Sequence, residues 1–158
     1  MTDAERIAAV REKVRVLYDG KQIAHRSCGI ALAEAFNVPT RPYQSLRRGG
    51  ITGTGQCGAV KGGEMILGEV FGDPDPGGAV TPALREAIRW YQAEVDRRMD
   101  KGRATSIICN ELTGQFPSFQ SEERHGFCTR LEMAVAEVLA ETLLKFGATF
   151  EVTPLGTR

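Results

Sequence analysis

Long hydrophobic runs are absent from this 158-residue chain, and so is any excess of charge. No stretch reaches the roughly 20 apolar residues that a membrane-spanning helix needs. Twenty basic and twenty acidic side chains cancel, which leaves no electrostatic reason for a nucleic-acid or acidic-membrane partner. The basic cluster RPYQSLRR, Arg41 to Arg48, is short and reads as a solvated loop face. The amino terminus, MTDAERIAAVREK, carries acids where a secretory signal would be apolar, so a cytoplasmic protein is expected. Close cysteine pairs are missing as well. Without C-x-x-C-H there is no support for covalent haem, and without C-x(2–4)-C pairs the usual four-cysteine zinc site has no precursor. The order G-x-x-x-x-G-K-[ST] is also absent, because Lys61 follows a cysteine and precedes Gly62. This argues against a phosphate loop. Glu64, Glu69, Glu132 and Glu137 do not form the Glu-x-x-His pairs of a di-iron bundle.

What is present begins with length. A chain of this size fits one domain, 1–158, able to bury about 68–70% of its extended surface without disulfide staples. Helical periodicity dominates. Ile7, Val10, Val14 and Leu17 predict a helix from Asp3 or Ala4 to about Tyr18, with Gly20 beyond it. Ser27 is the cap for a helix carrying Ala31, Leu32, Ala35 and Phe36 inward and stopped by Pro39. A short turn around Tyr43 to Leu46 precedes a glycine-rich loop. After it, CGAVKGGEMILGEVFG reads as a central helix, apolar or small nearly all round. DPDPGG is a linker. Thr81 and Pro82 open a helix to about Lys101 with Leu84, Ile88, Tyr91 and Val95 inward. A short helix around Cys109, capped by Thr105 or Ser106, ends at Gly114. A long one follows Phe127, with Leu131, Val135, Val138 and Leu139 as its stripe, up to Gly147. The tail ATFEVTPLG alternates briefly, as a strand would. The expected architecture is all-α, with five or six helices and a glycine-rich loop.

Four cysteines, Cys28, Cys57, Cys109 and Cys128, are spread over a hundred residues. The first three fall in or beside a first helical turn, and Cys128 follows His125-Gly126 at a helix start or a break. Free N–H groups and the partial positive charge of a helix amino terminus stabilise a thiolate. Four such thiolates make an anionic cradle for a metal or a cluster. In GGITGTGQCGAVKGG seven glycines surround Cys57. Gly58 and Gly62 keep the helix face beside it bare, so that a cluster or a facing helix can approach the backbone. His25 and His125 each stand three residues before a cysteine and read as donors to a ligand sulfur, as replacements for it, or as helix caps.

The order of these motifs, Cys28 in RSCGIAL, Cys57 in GQCGAVKGG, Cys109 in SIICNELTG and Cys128 in HGFCTRLE, resembles the C_GCAxxG_C_C family of proteins described as redox-active. The likeness covers about residues 20 to 145 and is most specific at CGAVKGG followed by EMILGEVFG. Because Gly58 stands between Cys57 and Ala59, the pattern is matched by order and context more than by letter. The same domain is similar to the cluster-bearing part of the split-Soret cytochromes, although the haem motifs of those proteins are missing here. That resemblance implies a homodimer and an iron–sulfur cluster held by the four cysteines, [2Fe–2S] favoured over [4Fe–4S]. Gly58 and Gly62 would lie beside it, and His125 would stand in for an absent ligand. Electron transfer or redox sensing with a redox partner protein of unknown identity would follow. Two other readings remain open at this stage: a thiol–disulfide oxidoreductase, and a zinc-stabilised or metal-free interaction module.

Overall fold

The computed structural model describes residues 1–156, and among them the elements are helical. Helix α1 (Asp3–Asp19) starts on a reciprocal cap: Glu5 N–H donates to Thr2 Oγ1 at 3.1 Å, and Thr2 N–H donates to Glu5 Oε2 at 2.7 Å. Helix α2 (Cys28–Ala35) ends before Pro39, where Asn37 turns into the left-handed region at φ 60°. A 3-10 segment (Arg41–Leu46) leads into a short turn, α3 (Arg47–Gly50), in which Arg48 and Gly49 are left-handed. Helices α4 (Gly58–Phe71), α5 (Pro82–Arg98), α6 (Cys109–Thr113) and α7 (Glu122–Lys145) complete the chain. The all-α expectation holds, in a single compact domain with seven helices among the described residues.

Helix α7 packs along α1 and against α4 and α5, while α2 lies on α4 and α1. The core at their junctions is mainly aliphatic, with Tyr91 its most deeply buried aromatic residue. Leu17, Leu32, Ile66, Leu67, Leu139 and Tyr91 are almost wholly buried, each aliphatic side chain contributing about 1.5–3 kcal/mol by leaving water. The Tyr91 hydroxyl donates to Val60 O at 2.9 Å, so the buried phenol does not leave its polar atom unpaired. Arg98, paired with Glu94 on its own helix, ties α5 to α7 through Glu141.

Four local expectations change. Helix α7 starts five residues before Phe127, because the Ser121 hydroxyl accepts from Arg124 N–H and Glu122 and Glu123 fill the first turn. Helix α4 is buried on one side only, with Met65 and Val70 facing solvent. At α6 the cap position is Ile108, and Ser106 instead accepts from Ile108 N–H at 3.1 Å. The tail forms no strand, since no extended neighbour lies beside it. It is held by side chains, with Asn37 Nδ2 donating to Glu151 O and Lys13 Nζ to Thr153 O.

Candidate functional site

The glycine loop and the segment before α6 are stitched together by backbone. Cys57 N–H donates to Ile107 O at 2.7 Å, Cys109 N–H to Gly55 O at 2.9 Å, and Asn110 N–H to Gly53 O at 2.9 Å. These bonds fix two of the cysteines relative to each other. Cys57 is the residue before α4, Cys28 opens α2 and Cys109 opens α6. Cys128 does not stand at a helix start; it is the seventh residue of α7. All four line one cavity of about 420 Å³, which lies within the usual size range of small-ligand pockets. Gly58 lines it too. Gly62 does not; it faces α2, where an added Cβ would meet Gly29 Cα at 3.1 Å. Of the two roles expected for that glycine, the structure gives it the approach of a facing helix.

Burial decides the state of the thiols. It pushes Cys28 up to about 12 and Cys57 well above the usual thiol value, and it raises Cys109 and Cys128 as well. Backbone N–H groups at Gly29 and at Ala59 and Val60 act in the opposite direction on Cys28 and Cys57, as helix starts should, but desolvation is the larger effect. At neutral pH these are protonated thiols, not the thiolates expected from their helix-terminal placement. All four are free.

The metal expectation fails on geometry. Sharing a cavity wall is a looser condition than sharing a coordination sphere, in which each sulfur must lie about 2.3 Å from a zinc ion. Among the described residues no group of three or more His, Cys, Asp or Glu side chains is placed to hold a metal ion. The expectations of a [2Fe–2S] or [4Fe–4S] cluster, of zinc, and of electron transfer or redox sensing through such a centre are corrected accordingly. A disulfide-forming enzyme fits no better, since Cys57 is buried, Cys28, Cys109 and Cys128 are half-buried, and all four are protonated and unpaired.

Both histidines serve α1. His25 Nδ1–H donates to the Tyr18 carbonyl, and His125 Nε2–H donates to Asp19 O at 2.8 Å. These are carbonyls of the last turn of α1, which have no partner within the helix. The Tyr18 ring stacks on His125 at 5.2 Å between centroids. The capping role among the expected ones is therefore the one their geometry supports.

Several cavity residues escaped the sequence reading. Glu132 is 1% exposed, and neither of its carboxyl oxygens has a hydrogen-bond partner. It lines the cavity one helical turn beyond Cys128. Burial holds its carboxyl well above the usual carboxylate range. The available signal was an acid beside Leu131 within the apolar stripe of α7, four residues after a cysteine. Arg124 stands four residues before that cysteine. Its Nη1 donates to the Tyr18 hydroxyl at 3.1 Å, its Nε donates to Phe119 O, and its guanidinium lies 4.0 Å from the Phe119 ring centroid. Arg48 rests against the same ring at 4.5 Å. Arg47 and Arg48, read from sequence as a solvated loop face, line the cavity. Glu132 is the single acid among the residues lining it.

No helix among the described residues is long and apolar enough to cross a membrane. No curated protein and no solved structure matches the chain. A family model described as "Putative redox-active protein (C_GCAxxG_C_C)" matches residues 26–142. That span contains all four cysteines and most of the helices that carry the cavity, and by it the chain belongs to the C_GCAxxG_C_C family.

Proposed function

We propose that this chain is a metal-free binding module whose thiol-lined cavity receives a small organic ligand. The observation that carries the reading is the Glu132 carboxyl, buried on the cavity wall with both oxygens unpartnered. A buried polar group without a partner costs about 1–3 kcal/mol, and a bound molecule that pairs with it recovers that cost. In this reading Cys28, Cys57, Cys109 and Cys128 are wall residues whose polarizable sulfurs face an apolar ligand body. Gly58 lets α4 begin close against Cys28 and so shapes the cavity, and Gly62 seats α2 on α4. No comparison supports the expected relation to the split-Soret cytochromes, and their metal chemistry is not carried over.

The test uses 8-anilinonaphthalene-1-sulfonate, an anionic aromatic probe that brightens on leaving water. One probe should bind per folded chain, with blue-shifted emission, and should slow alkylation of the cavity thiols by iodoacetamide. Absence of binding, or binding that leaves every alkylation rate unchanged, would remove the cavity as the binding site.

A homodimer is part of the same proposal. The exposed Met65 and Val70 of α4 are apolar side chains that such an interface would cover, and closed twofold dimers are the commonest oligomers. Sedimentation equilibrium at micromolar concentration should return twice the chain mass; the mass of one chain would rule the dimer out.

A further inference from the structure

Resting on the reading of the cavity as a ligand site, we propose that its ligand is an elongated organic anion with a carboxamide-like edge at the buried end. The two ends of the cavity differ in what they can bind. At the inner end stands Glu132. The titratable groups that face it are Tyr18 from α1, Cys28 from α2, Cys57 at the start of α4, Tyr91 from α5 and Cys128 from α7 itself. Each of these is a neutral group at pH 7, and the cation that adjoins them, Arg124, gives its donors to the Tyr18 hydroxyl and Phe119 O and leaves both Glu132 oxygens without a partner. A carboxyl in such surroundings keeps its proton. It therefore offers one O–H donor and one carbonyl acceptor on neighbouring atoms. The group that satisfies both at once carries an acceptor and an N–H donor side by side, as a primary or secondary amide does. A ketone would leave half of the pair unmet.

The outer end carries charge of one sign. Arg47 and Arg48 stand at the mouth, and Arg124 is fixed beside them by Phe119 O and the Tyr18 hydroxyl. No ionised carboxylate lines the cavity to balance them. Arg48 holds φ 51° and ψ 49°, a left-handed conformation that non-glycine residues seldom adopt. An ammonium group drawn to Glu132 would have to pass these guanidinium groups, whereas an anion would be retained by them.

Helix α7 sets the distance between the ends. Arg124, Cys128 and Glu132 are spaced four residues apart and follow one face of the helix, with Arg124 and Glu132 about 12 Å apart along its axis. Between them the walls are sulfur, Leu112 and Leu131. The ligand that matches has an anionic group outside, an apolar or aromatic middle and an amide edge inside.

Calorimetric titration of the full chain with 4-carbamoylbenzoate, benzoate and benzamide tests this class. The first compound has both ends, and each of the others lacks one. 4-Carbamoylbenzoate should bind at least about fivefold more tightly than either, the smallest factor expected when a buried polar partner is left unpaired. Glu132→Gln, which keeps a donor and an acceptor in the same place, should preserve that advantage. Glu132→Leu should abolish it, and Arg48→Gln should weaken both anions while leaving benzamide unchanged. A ligand-side control, 4-(dimethylcarbamoyl)benzoate, lacks the N–H donor and should fall to the level of benzoate without any change to the protein. Equal affinities for the three parent compounds, or a dimethyl compound that binds as well as the primary amide, would overturn the proposal. If the anilinonaphthalene probe binds and protects the thiols in either of those cases, the ligand class is wrong and the binding cavity stands. If that probe fails as well, both readings fall.

Discussion

Glu132→Gln should raise the thermal midpoint at pH 7, although it alters a residue in the most buried part of the molecule. In the unfolded chain this carboxyl titrates near 4.5, while burial holds it well above that value in the fold. Above pH 4.5 the folded state therefore binds a proton that the unfolded state has released. An acid with a raised folded value loses stability as pH increases from its unfolded value towards its folded one. Glutamine has the shape of the protonated acid and no proton to release. For a chain of this size each kcal/mol moves the midpoint by about 2–4 °C, so the rise at pH 7 is expected to be readable in a melting curve. Below pH 4.5 the two proteins should melt together. The raised cysteines add a slope of the same sign only above their ordinary value of 9.0, and they do so in both proteins. Melting curves at about pH 4, 7 and 8 measure the difference directly. A variant that melts no higher than wild type at pH 7 would mean that Glu132 is ionised and paired in the fold.

Gly58→Ala should act in the opposite direction and lower the midpoint. A methyl group there would lie 2.5 Å from Cys28 Sγ and 2.5 Å from the Leu46 carbonyl oxygen. The oxygen belongs to backbone at the end of the 3-10 segment, and the sulfur is anchored at the first residue of α2. Neither yields without moving an element. Overpacking of this kind costs about 1–3 kcal/mol. Gly62→Ala is the informative comparison. Its methyl group would meet Gly29 Cα at 3.1 Å and Leu32 Cδ1 at 3.7 Å, a milder crowding that the helix-propensity gain of about 0.8–1.0 kcal/mol opposes. Its midpoint should stay near that of wild type. Displacement of the Cys28 sulfur by the methyl group of Gly58→Ala should also weaken binding of the anilinonaphthalene probe, whereas Gly62→Ala should leave it intact. Equal midpoints for wild type and Gly58→Ala would show that the start of α4 can move away from α2, and the close approach would not be what requires glycine.

The different fates of these two glycines illustrate how far a linear reading reaches. From spacing alone, the stretch around Cys57 implied close approach of something to the backbone. At Gly62 the approaching group is the backbone of α2, and at Gly58 it is a neighbouring thiol and a carbonyl. Nothing in the spacing separated these from a cluster. The histidines behaved similarly. Their positions three residues before a cysteine suggested ligand chemistry, while the fold presents both to the open carbonyls at the end of α1.

The helical class, the helices and most of their limits were determined by the sequence, because apolar periodicity, caps and glycine stops act over a few residues and need no distant partner. The order of four cysteines placed the chain in its family for the same reason, since order is a property of the chain itself. Tertiary structure decided the rest. Whether a thiol at a helix start becomes a thiolate depends on how much water the rest of the fold leaves around it, and here burial outweighs the helix terminus. Whether four cysteines meet in a coordination sphere or only share a cavity depends on the packing of α2, α4, α6 and α7, which none of those segments encodes alone. The unpartnered carboxyl of Glu132 comes from the same packing. Its neighbours from α1, α2, α4 and α5 are distant in sequence, and only their assembly around α7 buries it with both oxygens unpartnered.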